Sequence, residues 1–135
     1  MFEQFDNYCE RTDFSFWSEP VNAVTNAAFL IAALLVWLAL KGRVGLAEGV
    51  LLVVLTAIGL GSFFFHTFAT RWALITDVVP ILLFILIYLF LATRRFFTAP
   101  LWAGILAVVL YFPFSAGVAW AVSSSFGPLN GSVSY

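Results

Sequence analysis

The feature that most limits this chain is a series of long apolar stretches broken by very little charge. One runs from about Pro20 to Leu40. A second runs from about Gly49 to between His66 and Phe68, a third from about Trp72 to Thr93, and a fourth starts near Pro100. At a rise of 1.5 Å per residue, about 20 apolar residues cross a hydrocarbon core of roughly 30 Å. Inside such a core every backbone polar group must be satisfied by the chain, which leaves helices or closed barrels. The sequence has no strand-type alternation of the barrel kind. The expected fold class is therefore all-α, an integral membrane helical bundle of about four transmembrane helices. Composition agrees: of 135 residues, 63% are hydrophobic and 10% charged, with a mean hydropathy of +1.04. A soluble domain carries about 25% charge, so this chain cannot coat a water-facing surface. One domain covering residues 1–135 is expected.

Several function classes drop out. The net charge of −1 gives no basic patch for nucleic acid. The single cysteine, Cys9, rules out an intrachain disulfide and reads as a small buried residue. The N-terminus, MFEQFDNYCERTDF, is acidic and lacks a basic stretch followed by an apolar core, so it is not a cleavable signal peptide.

Residues 1–19 carry Glu3, Asp6, Glu10, Asp13 and Glu19 against only Arg11. This segment reads either as a solvated acidic tail or as a hard-cation site, since Ca²⁺ takes carboxylate and carbonyl oxygens from short irregular segments. Pro20 suits the first turn of a helix, with Ser18 or Glu19 as its cap. Glu19, Asn22 and Asn26 are spaced i, i+3, i+7, so they share a face that should point into the bundle. The two amides could equally serve only as hydrogen-bond partners of neighbouring helices. Pro80 is tolerated early in its helix, whereas Pro113 should kink or split the fourth one. Ser123 to Tyr135 reads as a loop-like end.

The loops after the first and third spans share a side and hold Lys41, Arg43, Arg94 and Arg95. The opposite side holds Arg11 and Arg71. The positive-inside rule then puts the N-terminus on the non-cytoplasmic side. His66 ends the second span and Asp77 begins the third, so both belong to that side, as does every acidic residue except Glu48.

The stretch Gly61–Asp77, GSFFFHTFATRWALITD, concentrates polar groups in apolar surroundings. Such groups are expensive to bury and mark candidate functional sites. Ser62 lies four residues before His66, the only histidine, so both share a helix face. Three readings follow. In a hydrolytic triad Ser62 would be the nucleophile, although that role usually needs a sharp turn and an oxyanion hole. In a metal site His66 would ligate zinc, whose bound water has a pKa of about 7. Asp77 would then take the water's proton and Ser62 would steady the oxyanion. In the third, structural reading, His66 and Asp77 form a satisfied hydrogen-bonded pair.

The runs YCER at Tyr8–Arg11, EPVNAVTN at Glu19–Asn26 and GSFFFHTFATRWALITDVVP at Gly61–Pro80 resemble the alkaline ceramidase family, in particular its bacterial branch. The likeness covers the whole chain in order, and S-x-x-x-H followed eleven residues later by Asp is its specific part. It implies a seven-helix membrane zinc amidase that cleaves ceramide into sphingoid base and fatty acid. On that likeness His66 matches the first zinc ligand, while Ser62 and Asp77 match the catalytic serine and aspartate beside the zinc water. Glu10 and Glu19 match calcium ligands. Asp6 is a further match offset by one residue, with Asp13 or Thr12 as candidates for the remaining ligand.

The family's other two zinc histidines form an H-x-x-x-H pair on its last helix, and this sequence has one histidine in all. It therefore resembles an N-terminal portion, with the activity implied for the complete protein. A reading from another class is a non-catalytic bundle. In it the polar groups line a proton or ion path or hold helices together.

Overall fold

A computed structural model describes residues 10–127. Five helices follow in order: α1 (Pro20–Thr25), α2 (Ala27–Ala39), α3 (Leu46–Phe68), α4 (Arg71–Phe96) and α5 (Leu101–Phe126). No strand element occurs among the described residues. The fold class is all-α. Taken together, α1 and α2 make one apolar span of 20 residues, and α3, α4 and α5 make spans of 23, 26 and 26 residues. By length and composition all four are able to cross a membrane.

The first span is interrupted at Asn26 for a local reason. The Asn26 side-chain amide donates to the Asn22 carbonyl at 2.9 Å, the acceptor its own backbone N–H would use in a continuous helix. That N–H turns instead to Val24 O. Other features differ from the sequence reading. Pro113 does not split the fourth span, because α5 is helical through it. Helices of this class tolerate proline when neighbouring groups re-satisfy the freed carbonyl. Nor does the helix stop at Ser123: the hydroxyls of Ser124 and Ser125 both donate to Ala121 O at 2.9 Å, so the serines bond back onto the helix and α5 reaches Phe126. The end of the expected loop, 128–135, lies outside the described residues.

Contacts divide the chain into two units, Met1–Phe84 and Ile85–Tyr135, with the boundary inside α4. In the second unit Gly104 of α5 lies against the Phe90 ring and the Arg94 stem of α4. The first unit contains the candidate site. Its buried apolar residues are mostly small, Ala23, Ala33, Ala69 and Ala73 beside Ile58 and Phe65. Large apolar side chains such as Leu35 and Trp37 are exposed, whereas Arg11, Glu19, Ser62, His66 and Asp77 are buried. This inverts the soluble pattern and suits a chain whose outer solvent is hydrocarbon.

On α3 the buried residues Ile58, Gly61, Ser62, Phe65 and His66 form one stripe at helical spacing. The helix ends on Ala69, whose φ of 47° lies in the left-handed region, and α4 begins two residues later at Arg71. Gly61 then sets how closely the two helices approach. A Cβ there would lie 1.9 Å from the Thr76 carbonyl oxygen. The contact is backbone against backbone and leaves no room for a side chain.

Gly61→Ala should consequently destabilise the folded protein by about 2 kcal/mol or more, because no rotamer change relieves a clash with a main-chain oxygen. Gly117→Ala, at a helical position with nothing within 4 Å of the new methyl, should be neutral or stabilising by up to about 1 kcal/mol. Thermal or denaturant unfolding in detergent measures both. Equal effects would contradict the close crossing.

Candidate functional site

The approach at Gly61 brings the next residues of the two helices together. Ser62 Oγ donates a hydrogen bond to Asp77 Oδ1, and both side chains are buried. One turn along α3, His66 Nδ1 lies 2.5 Å from Glu19 Oε2. Glu19 arrives from the segment just before α1. Its second oxygen, Oε1, accepts from Arg11 Nε at 2.6 Å. Oε2 also accepts from Asn22 Nδ2 at 3.3 Å. Glu19 is 2% exposed and is the largest fully buried side chain described. Burying a carboxylate is costly unless it is paired and hydrogen-bonded, and here both oxygens are engaged.

The Glu19–His66 contact needs a proton between its two atoms. Placed on Nδ1, it leaves Glu19 ionised opposite the Arg11 guanidinium, and Nε2 carries the ring's lone pair. A carboxylate on one ring nitrogen is the usual means of fixing an imidazole's tautomer and orientation when the other nitrogen is a ligand or base.

Arg11 does more than pair with Glu19. Its Nη2 donates to His66 O at 3.1 Å, and its Nη1 to Asp13 O at 3.3 Å. The last carbonyls of a helix have no partner within it. Ala69 N–H takes Phe65 O at 2.8 Å, and Arg11 takes His66 O. Beyond Arg11 the chain turns on Asp13, whose Oδ1 accepts from Ser15 N at 2.8 Å and from Ser18 Oγ. Hydrogen bonds from Ser18 and then Ser15 hold the exposed Asp13 carboxyl down at about 2. Phe16 stacks edge-on against Trp17, Phe63 and Phe68, with ring centroids 5.2, 6.5 and 5.3 Å away. This aromatic group seats the segment on α3 and is of the kind found at membrane–water interfaces.

Each candidate residue can now be placed. Ser62 and Asp77 meet directly, and His66 lies one turn from Ser62 at the same end of α3. His66 Nδ1 is engaged by Glu19, a partner the sequence reading did not assign. Glu10 caps α1 from a distance, its Oε1 accepting from Val21 N at 2.7 Å and its Oε2 from Asn22 N at 3.1 Å. Glu19, the expected cap by position, makes no side-chain cap bond. Of the expected calcium ligands, Glu10 and Glu19 each accept hydrogen bonds from protein donors on both carboxylate oxygens. Asp6, Tyr8 and Cys9 lie outside the described residues. Zinc needs three protein ligands in a catalytic site. Among the described residues no three His, Cys, Asp or Glu side chains converge, so His66 offers one ligand of an incomplete set.

The residue overlooked in the sequence reading is Arg11, counted there only as a charge. Its signal was its position as the one cation in the acidic segment. No protein-family model, curated protein or solved structure matches this chain.

If Ser62 and Asp77 act as a buried pair, a double-mutant cycle with Ser62→Ala and Asp77→Ala should return a coupling of about 1–3 kcal/mol in unfolding free energy. Additive losses would mean that the two side chains do not interact.

Proposed function

We propose that this protein is an integral membrane amide hydrolase acting on ceramide or a related N-acyl lipid. The observation that carries this reading is the buried Ser62–Asp77 hydrogen bond one helical turn from His66. Hydrolysis of an amide needs a base for the attacking water and a donor for the oxygen that becomes anionic. Asp77 is the proton acceptor, and the Ser62 hydroxyl is the donor. In the structure that hydroxyl proton is given to Asp77, so oxyanion donation requires Ser62 to exchange partners. Burial among apolar helices keeps bulk water out and suits a substrate delivered from the bilayer. The motif likeness to alkaline ceramidases supports the choice of an amide lipid.

Zinc is the cofactor that this likeness implies, and His66 would be one ligand; no further set of ligands converges on it among the described residues. The basic residues Lys41, Arg43, Arg94 and Arg95 favour the cytoplasmic side for their loops, which puts the Ser62–His66–Asp77 end on the opposite face.

A second reading is favoured by the closure of the polar network. Arg11, Glu19, His66, Ser62 and Asp77 all have protein partners, as a cluster that only holds helices together would require. Activity separates the two. The complete protein, reconstituted with an N-acyl lipid labelled in its acyl chain, should release labelled fatty acid. Asp77→Asn should lower the rate by about 100-fold or more, and Ser62→Ala by a similar factor. No release by folded wild-type protein, or full activity in Asp77→Asn, would favour the structural cluster.

A further inference from the structure

Carboxylates gathered in a short irregular segment are groups that a cation such as Ca²⁺ can hold together. Here a cation is already built in. Arg11 is 5% exposed and its guanidinium reaches three separate acceptors: Glu19 Oε1 at 2.6 Å, His66 O at 3.1 Å and Asp13 O at 3.3 Å. These belong to the start of the first span, the end of α3 and the segment's own backbone. Glu10, the other acid described near the helix start, spends its carboxylate on the N–H groups of Val21 and Asn22. Asp13 spends one oxygen on Ser15 and Ser18.

We infer that Arg11 is the resident counter-ion of this segment, doing the work of a divalent cation. It latches residues 10–19 onto the end of α3 and holds Glu19 against His66. The planar fork of arginine suits this task, since it offers several donors in fixed directions and carries its charge at any accessible pH. Arg11 is on this account a positioning residue: it touches the imidazole only through Glu19 and the helix backbone. The inference stands apart from the hydrolase reading, because its readout is stability and not turnover.

The test is thermal unfolding of the full chain in detergent, with about 1 mM CaCl₂ or with excess chelator. Wild-type Tm should be the same in both. Arg11→Gln should lower Tm by more than about 5 °C, because the buried Glu19 loses its paired charge. Should Arg11→Gln fail to fold, Arg11→Lys keeps the charge without the fork and should show a measurable loss of Tm. A wild-type Tm that rises with calcium and falls with chelator would overturn the inference. So would an Arg11→Gln protein as stable as the wild type, or, where that variant does not fold, an Arg11→Lys protein with wild-type Tm.

Discussion

The first unit depends on one buried carboxylate. Glu19 sits between the Arg11 guanidinium and the His66 imidazole and joins the N-terminal segment to the end of α3, 47 residues on. Its cost of burial is high. That cost is met because each oxygen has a donor and one donor is cationic. Removing either Arg11 or Glu19 leaves the other's charge uncompensated inside the protein. The position of His66 is thus a property of the N-terminal segment as much as of α3.

The same logic orders the rest of the unit. In a hydrocarbon solvent, large apolar residues gain little by facing inward, and exposed Leu35 and Trp37 illustrate this. Helices then associate through small residues and polar contacts. Gly61 supplies the first by letting the Thr76 backbone come close, and Ser62 with Asp77 supplies the second. These two features are one residue apart because the close crossing is what lets so short a side chain as serine reach across. The two-residue turn at Ala69 and Thr70 keeps Asp77 at the same end of the helices as His66.

Much of this was legible in the sequence. Apolar run lengths announce the four spans, and the alignment of Ser62, His66 and Asp77 near one turn follows from helical periodicity and a short connection. The spacing of Asn22 and Asn26 did not announce its consequence: the Asn26 amide competes for the Asn22 carbonyl and divides the first span. Other features had no local signal. Glu19 and His66 are 47 residues apart, and nothing in the spacing of either says that they meet. Glu10 accepts from two helix N–H groups eleven and twelve residues on, a pairing that no local signal marks. Pro113 does not divide the last span, since α5 runs as one helix from Leu101 to Phe126.

At the centre of the first unit Glu19 grips the ring of His66. Because the chain has a single histidine, nitrogen-15 labelling of histidine gives one unambiguous pair of ring signals in an NMR spectrum of the detergent-solubilised protein. A strongly deshielded proton on Nδ1 that vanishes in Glu19→Ala is the expected result. A folded wild-type protein with no carboxylate-bonded Nδ1 proton, or one whose ring signals ignore the Glu19 substitution, would contradict it.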